Sequence, residues 1–399
     1  MIATPIRDEV YAITVNDRTT DLFEGLWPIS QEGVSYNSYL VKDERSAIID
    51  LTKEFKSDQL LDHIGRIIPV EKLDYLVVNH MEPDHTGALK TLLRLNPDIT
   101  IICTPKARPM IENYYRFSGN IHEVADGEEI SLGKKTLKFF HTPFIHWPET
   151  MMSYLVEDKV LFSCDGFGGY GALTGAIFDD QIQDLEFYKR ESLRYYTNIV
   201  AKFTKPVLNA IDKLAEVPIE VIAPSHGLIW RGNPGTIVEL YRKWSEYGHG
   251  ESEIGVTLMY GSMYGNTEQA MNYVAKGLSA EGVPAQIFDV ARTHMSYILP
   301  SLWVNKGVIV GAPTYEGSLF PAMSLALEEA SIKRVMHKQM AYFGSYGWSG
   351  GALRQVKKLI EPIKWEILDT LEFAGGPTDD ELQQAFEFGR EFGRRMKTQ

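Results

Sequence analysis

The sequence predicts an α/β protein of two domains, a layered unit with mixed strands followed by an open parallel sheet wound with helices on both sides. Three observations carry that expectation. The 399 residues leave room for two or three domains of roughly 150 residues each. Hydrophobic residues make up 44% of the chain and charged residues 23%, the mix of a protein that buries real cores. The apolar rhythm changes around EYGHGES at residues 246–252, with hairpins and irregular helices before it and a regular strand–helix alternation after it. The expected domains are therefore 1–250 and 251–399.

In the first domain SYNSYLV, the polar turn KDERS and AIIDL read as a hairpin. An amphipathic helix is expected from about Phe55 to Ile68, with Pro69 ending it. The strand LDYLVV then runs into NHMEPDHTGA, which puts histidines and carboxylates in a loop at a strand's end. Strand ITIICT, a helical segment from Pro105 and hairpins at KKTLKFFHT, MMSYLVED and KVLFSC follow. A long helical stretch, about Gln181 to Lys213, precedes strand IEVIAPS and its exposed end SHG. The second domain reads as strand GVTLMY, a Gly-rich turn, a helix to about Ala280, strands AQIFDV and GVIVGA, a helix after Pro321, strand QMAYFGS, and two helices separated by EILD.

Charge and cysteine usage exclude whole classes of function. With 53 acidic against 40 basic residues the formal charge is -13, and no run of Lys or Arg concentrates positive charge, which argues against a nucleic-acid partner. The cysteines are Cys103 and Cys164, and no C-x-x-C pair exists. A rubredoxin-type centre, a cysteine-ligated iron–sulfur cluster and a zinc ribbon are thereby excluded from this chain. Arg7, Asp8 and Glu9 precede any apolar run suited to a signal peptide, and no stretch approaches 18 uncharged apolar residues. The expectation is a cytoplasmic protein with no membrane partner.

His80, Glu82, Asp84 and His85 stand within one tight loop. Side chains on a turn diverge, so four donors this close do not all reach a single ion, and two metals are the natural reading. Three further candidates each follow a strand: His146 in FIHWPE, Asp165 in SCDGFG and His226 in PSHGLI. His63, His122, His141, His249, His294 and His337 fall outside this pattern and read as structural or surface residues.

This set resembles the metallo-β-lactamase fold, an αββα sandwich whose strand ends converge on a binuclear site. Members that hydrolyse esters, thioesters or lactams usually have histidine where this chain has Glu82. The glutamate is similar to the pattern of flavodiiron proteins, which reduce dioxygen or nitric oxide. The resemblance implies one iron on His80, Glu82 and His146, a second on Asp84, His85 and His226, and Asp165 bridging them. The charge of the donor set independently favours iron. Three carboxylates against two divalent ions leave one net positive charge, and histidine at position 82 would leave two.

After GVTLMY comes GSMYGNTEQA, in which Ser262, Met263, Tyr264, Gly265, Asn266 and Thr267 lead straight into a helix. Backbone amides, hydroxyls and a helix N-terminus suit one phosphate, and neither G-x-x-x-x-G-K nor G-x-G-x-x-G is present there. The loop is similar to the flavodoxin phosphate loop, with Tyr264 where threonine or serine is common. Two later loops belong with it in a flavodoxin order: Pro313, Thr314, Tyr315, Glu316 and Gly317, then Ser345, Tyr346, Gly347, Trp348 and Gly350. Trp348 offers a flat partner to an isoalloxazine ring, and FMN is the expected cofactor.

The flavodiiron resemblance covers nearly the whole chain and implies FMN passing electrons to a non-haem diiron centre. It implies a head-to-tail homodimer, or a dimer of such dimers. It also implies a separate electron donor such as rubredoxin or a reduced deazaflavin, and O2 or NO as substrate. Glu24, in LFEGLW, occupies a position that is histidine in some members, and Tyr195 and Tyr196 fall in a stretch that looks like the family's helix near the iron site. Two other readings stay open on sequence alone: a zinc hydrolase fused to a flavodoxin-like domain, and a non-catalytic FMN electron carrier.

Overall fold

The computed structural model describes residues 3–250 and 252–398. The chain forms two compact units, Met1–Lys243 and Trp244–Gln399. The division falls inside the helix Pro234–Glu246, ahead of the EYGHGES stretch. Within the second unit the Trp303 indole donates to the carbonyl of Trp244 at 2.7 Å.

The first unit is a sandwich of two sheets. One runs in the order Thr4–Arg7, Val10–Asp17, Val34–Val41, Ala47–Ile49, Tyr75–Val77, Thr100–Cys103 and Ile121–Glu123, antiparallel at first and parallel from Ala47–Ile49 onward. The other runs Glu129–Ser131, Thr136–His141, Met151–Leu155, Val160–Cys164 and Val221–Pro224. Every residue of Val34–Val41 is buried, because one face packs on the helices and the other on the second sheet. Between the sheets Tyr39 and Phe162 lie 5.1 Å apart, and the Tyr39 hydroxyl donates to the Pro224 carbonyl at 2.6 Å. The outer face of the larger sheet is covered by Leu60, Leu61 and Ile64 of the helix Ser57–Gly65, and by Leu89, Leu92 and Ile111 of the following helices.

The expected continuous helix over 181–213 is interrupted. Leu185–Tyr195 is α-helical, Tyr196–Val200 is a π turn, and Thr204–Lys213 resumes the α-helix. The Asn198 amide and the Thr197 hydroxyl both donate to the Arg194 carbonyl, at 2.5 and 3.0 Å, and so compete with the regular backbone ladder.

In the second unit five parallel strands run in the spatial order Ala285–Asp289, Glu253–Tyr260, Asn305–Gly311, Gln339–Tyr346 and Glu366–Ala374. This is the doubly wound 2-1-3-4-5 order, whose ligand crevice lies beyond the carboxyl ends of the central strands. One helix escaped the sequence reading: Met295–Val304 crosses between the second and third strands of the chain order and carries Pro300 inside it. Parallel neighbours require such a crossover. Its signature was hidden by an apolar composition with little periodicity and by a residue that normally breaks helices. Among the described residues no helix is long and apolar enough to cross a membrane.

Candidate functional site

The seven expected ligands come from four separate strand ends of the first unit. Tyr75–Val77 delivers the loop in which Glu82 precedes the short helix Pro83–Thr86, and that helix carries Asp84 and His85. The Leu51 amide donates to the His85 carbonyl at 2.7 Å and anchors the helix. His146 lies in the turn before Met151–Leu155, Asp165 follows Val160–Cys164, and His226 follows Val221–Pro224. Gly227 holds the last of these in place: at φ 76 its amide donates to Ser35 Oγ, and a Cβ there would meet the backbone of Gly169 at 3.0 Å.

The structure gathers these side chains into two adjoining sets. His80, Glu82, His146 and Asp165 share one set, and Asp84, His85 and His226 the other. Asp165 faces both. Its Oδ2 lies 3.4 Å from the Nε2 atoms of His80 and His146, and its Oδ1 lies 3.1 and 3.3 Å from those of His85 and His226. Glu82 Oε2 is 3.3 Å from His80 Nε2 and 3.0 Å from His146 Nε2, and Asp84 stands 3.5 Å from His85 and 3.4 Å from His226. Donors about 2.1 Å from a common ion stand about 3.0–3.4 Å from one another in octahedral or tetrahedral arrangements, and these separations fit the edges of two such polyhedra.

Burial and charge support the same reading. Both Asp84 oxygens, Asp165 Oδ2, His85 Nε2 and His226 Nε2 are buried with no hydrogen-bond partner. Orphaned polar atoms at that depth cost free energy unless something binds them, and two cations between the sets would satisfy all five. Burial alone would depress the histidines. The Glu149 and Glu82 contacts and the charge of Asp165 outweigh it and raise His80 to about 10. The carboxylates Asp84 and Asp165 likewise raise His85 to about 9 and His226 to about 10. Burial, and then the neighbouring charge of Glu82, pushes Glu24 up to about 7. Glu24 sits at φ 52 in the tip between Leu22–Phe23 and Trp27–Pro28, where its Oε2 accepts the Trp27 indole at 3.1 Å.

Several neighbours gave no sequence signal. Glu149 meets His80 Nδ1 at 2.7 Å, yet in the chain it stands near His146, so spacing did not connect them. Asp50 and Cys164 form a further group with His85, whose Nδ1 faces the sulfur at 3.8 Å. Because His85 turns its other nitrogen toward Asp84 and Asp165, this group supports the site from behind. Of the two tyrosines that the sequence did single out, Tyr195 donates its hydroxyl proton to Asp165 Oδ1 at 2.9 Å, whereas Tyr196 packs edge-on against Tyr241. The remaining histidines include a structural contact of His141 to the Val124 carbonyl, an exposed pairing of His122 with Glu128, and His294 as a helix cap.

In the second unit a cavity of about 310 Å³ is lined by Ser262, Met263, Tyr264, Asn266, Thr267, Pro313, Thr314, Tyr315, Glu316, Ser345, Tyr346, Gly347 and Trp348, together with Gly375, which the sequence did not suggest. Gly265, Gly317 and Gly350 do not line it. Gly265 at φ 91 turns the strand end into the helix Asn266–Ala280, and Gly317 at φ 72 closes the turn between Thr314–Tyr315 and Ser318–Leu319. The first turn of Asn266–Ala280 presents backbone N–H groups without intrahelical partners, and Thr267 Oγ1 lies 3.2 Å from Ser345 Oγ. That end suits a phosphate, and Trp348, Tyr264 and Tyr315 supply the apolar walls a flavin ring needs.

Residues 34–227 match the ODP family beta lactamase, and residues 258–389 match flavodoxin. The nitric oxide reductase of Moorella thermoacetica is 32% identical over 98% of this chain and 98% of its own length. The rubredoxin oxygen:oxidoreductase of Desulfovibrio gigas superposes with a TM-score of 0.94 at 30% identity, covering 99% of this chain and 98% of that one. The flavodiiron protein of Giardia intestinalis does so at 0.93 and 28%, covering 99% and 96%. Both site types occur in one chain, and its relatives match from end to end: this protein is a member of the flavodiiron family, oxidoreductases that join a metallo-β-lactamase-like diiron domain to an FMN-binding flavodoxin domain.

Proposed function

We propose that this chain takes electrons through FMN to a diiron centre held by His80, Glu82 and His146 on one side, by Asp84, His85 and His226 on the other, and by Asp165 between them, and there reduces O2 to water or NO to N2O. The observation that carries the reading is Asp165, whose two oxygens each face a different pair of histidines. When bound, two ferrous ions supply two electrons, enough with two protons to turn two NO into N2O and water, and reduced FMN supplies the two more that O2 needs, with four protons, to become two waters.

The chain's own groups hold the donors and the protons. Glu82 and Asp165 put negative charge between the imidazoles, which would favour the ferric state of bound iron. Tyr195 places a hydroxyl proton against Asp165 Oδ1, and the Glu24 carboxyl stands beside Glu82. Both lie within the shell through which protons must reach the reacting diatomic.

The donor is proposed to be a separate rubredoxin-type protein or a reduced deazaflavin. The name of the Desulfovibrio gigas relative pairs rubredoxin with oxygen reduction, and the two cysteines of this chain cannot build a rubredoxin site. Apolar side chains stand exposed around both candidate sites, Leu22, Leu26 and Phe144 in the first unit and Met263, Tyr264 and Trp348 in the second. They support a head-to-tail homodimer in which flavin of one subunit faces iron of the other, located in the cytoplasm where low-potential reductants are supplied. A monomer in sedimentation with full turnover would contradict that arrangement.

The deciding experiment measures O2 and NO consumption by one anaerobically reduced preparation, assayed for iron and FMN, under excess artificial reductant. Faster O2 loss without peroxide identifies an oxygen reductase. Faster NO loss with N2O formed identifies an NO reductase. Failure with both gases in an iron-replete sample overturns the proposal.

A further inference from the structure

The two metal positions have inner donor sets of the same composition: two histidines, one carboxylate of their own, and one oxygen of Asp165. Any difference between them must come from what stands behind the donors. Behind His80 stands a carboxylate. Its Nδ1 lies 2.7 Å from Glu149 Oε1, and the same oxygen accepts the Met81 amide at 3.0 Å. Behind His226 stands a neutral main-chain carbonyl, that of Ser35, at 2.8 Å. Behind His85 stands the Cys164 sulfur at 3.8 Å, a weak acceptor.

Glu149 is 2% exposed, and its own carbonyl accepts the Thr104 hydroxyl at 2.8 Å, which fixes the turn that carries it. Its Oε2 is buried without a hydrogen-bond partner. A carboxylate this deep costs free energy unless its charge acts on a nearby cation or donor, and among the described residues its side-chain partner is His80. A second contact tilts the pair in the same sense. Tyr195 donates to Asp165 Oδ1, the oxygen that faces His85 and His226, and so draws electron density away from that side.

We propose that Glu149 is a positioning residue that makes the two iron positions electronically unequal. By accepting the Nδ1 proton of His80 with a full negative charge it fixes that ring's tautomer and makes its Nε2 a stronger donor. The iron held by His80, Glu82 and His146 then has the lower reduction potential. With iron bound, the loss of one electron to a mediator would then leave the ferric charge on the side held by His80, and the side held by His85 and His226 ferrous. The inference rests on the diiron reading above.

The test uses the full chain with FMN and iron assayed, and the variant Glu149→Gln, which keeps an oxygen acceptor for His80 and removes the charge. Each oxidation step moves one electron from the iron pair to a redox mediator, and electron paramagnetic resonance follows the half-oxidised state. The expected result is an upward shift of the first step with the second step unmoved, and a smaller maximum of the mixed-valent signal. Glu149→Asp, which keeps the charge, should move both readouts back toward wild type; a merely structural role would leave it no better than the glutamine variant. Unchanged potentials in an iron-replete Glu149→Gln protein overturn the inference. Should that variant not retain iron, nitrogen-15 spectra of the metal-free wild type decide. A strongly deshielded His80 Nδ1 proton supports the proposal, and an unprotonated Nδ1 overturns it. A wild-type chain that never binds two irons instead refutes the diiron reading itself.

Discussion

His80, His85, Asp84, Asp165 and His226 are all 4% exposed or less, whereas Trp348 and Tyr264, which line the candidate flavin cavity, are each 89% exposed. The two units thus prepare their sites by opposite means. In the first, the fold brings anions and imidazoles together in the dry interior between two sheets, and each group's charge is fixed by the next. In the second, a helix end and three loops leave an open cradle whose aromatic plates touch little until something lies between them. A buried cation is held most tightly by donors already aimed at it, because they offset the cost of its dehydration without further ordering. A flavin brings its own large apolar surface and completes the site by stacking. Substitutions in the first unit should therefore act cooperatively, and those in the second by increments.

The largest expected effect is that of Asp165→Ala. Because each of its oxygens faces one donor set, iron should be lost from both positions together while FMN remains, as read by iron assay and flavin absorbance on the same sample. Loss of one iron alone would mean that the two sets are independent. Concerted loss of FMN would break the comparison between the units. Next comes Glu82→His, which removes one of three carboxylates from the inner set. On expression with both metals supplied, the zinc-to-iron ratio should rise, and an unaltered ratio would undercut the charge argument for iron. Trp348→Ala lies on the incremental side. Loss of one stacking face should weaken FMN by about 1.5 kcal/mol, roughly tenfold in Kd by fluorescence titration, with iron content unchanged. An unmoved affinity would show that Trp348 is not a wall of the bound flavin.

The same contrast explains what could be read in the chain. The clustering of the seven candidate donors was legible because each follows a strand, and strand ends of a layered α/β unit converge. Their outer partners were not. Glu149 lies far from His80 in sequence, and only the turn between Thr136–His141 and Met151–Leu155 brings the two side chains together. The flavin loops were legible by composition, since Gly-rich turns after strands announce themselves. Which glycines line the cavity and which merely shape the chain depends on φ, and Gly265 and Gly317 belong to the second kind. The crossover helix Met295–Val304 stayed hidden because a helix buried on most sides loses the amphipathic period that identifies one.

Lys338 supplies the smallest effect and the sharpest contrast, because among the described residues it is a buried amine handled without a counter-charge. It is 3% exposed, its ammonium donates to Ser252 Oγ at 2.8 Å and to the Trp303 carbonyl at 2.9 Å, and among the described residues it makes no ion pair. Burial pushes it down to about 7, against about 10.4 in an unfolded chain. Between these values the unfolded state binds more protons than the folded one, so the stability of this unit rises with pH across the interval. That contribution is complete above the unfolded value and is lost as pH falls through about 7. Lys338→Met should flatten the rise and stabilise the unit by about 1 kcal/mol at pH 7, the balance of a removed buried charge against two lost hydrogen bonds. Thermal unfolding followed by FMN release at a series of pH values measures it. Parallel pH profiles for variant and wild type would mean that the ammonium keeps its charge in the fold, and that the second unit, like the first, holds a compensating anion within reach.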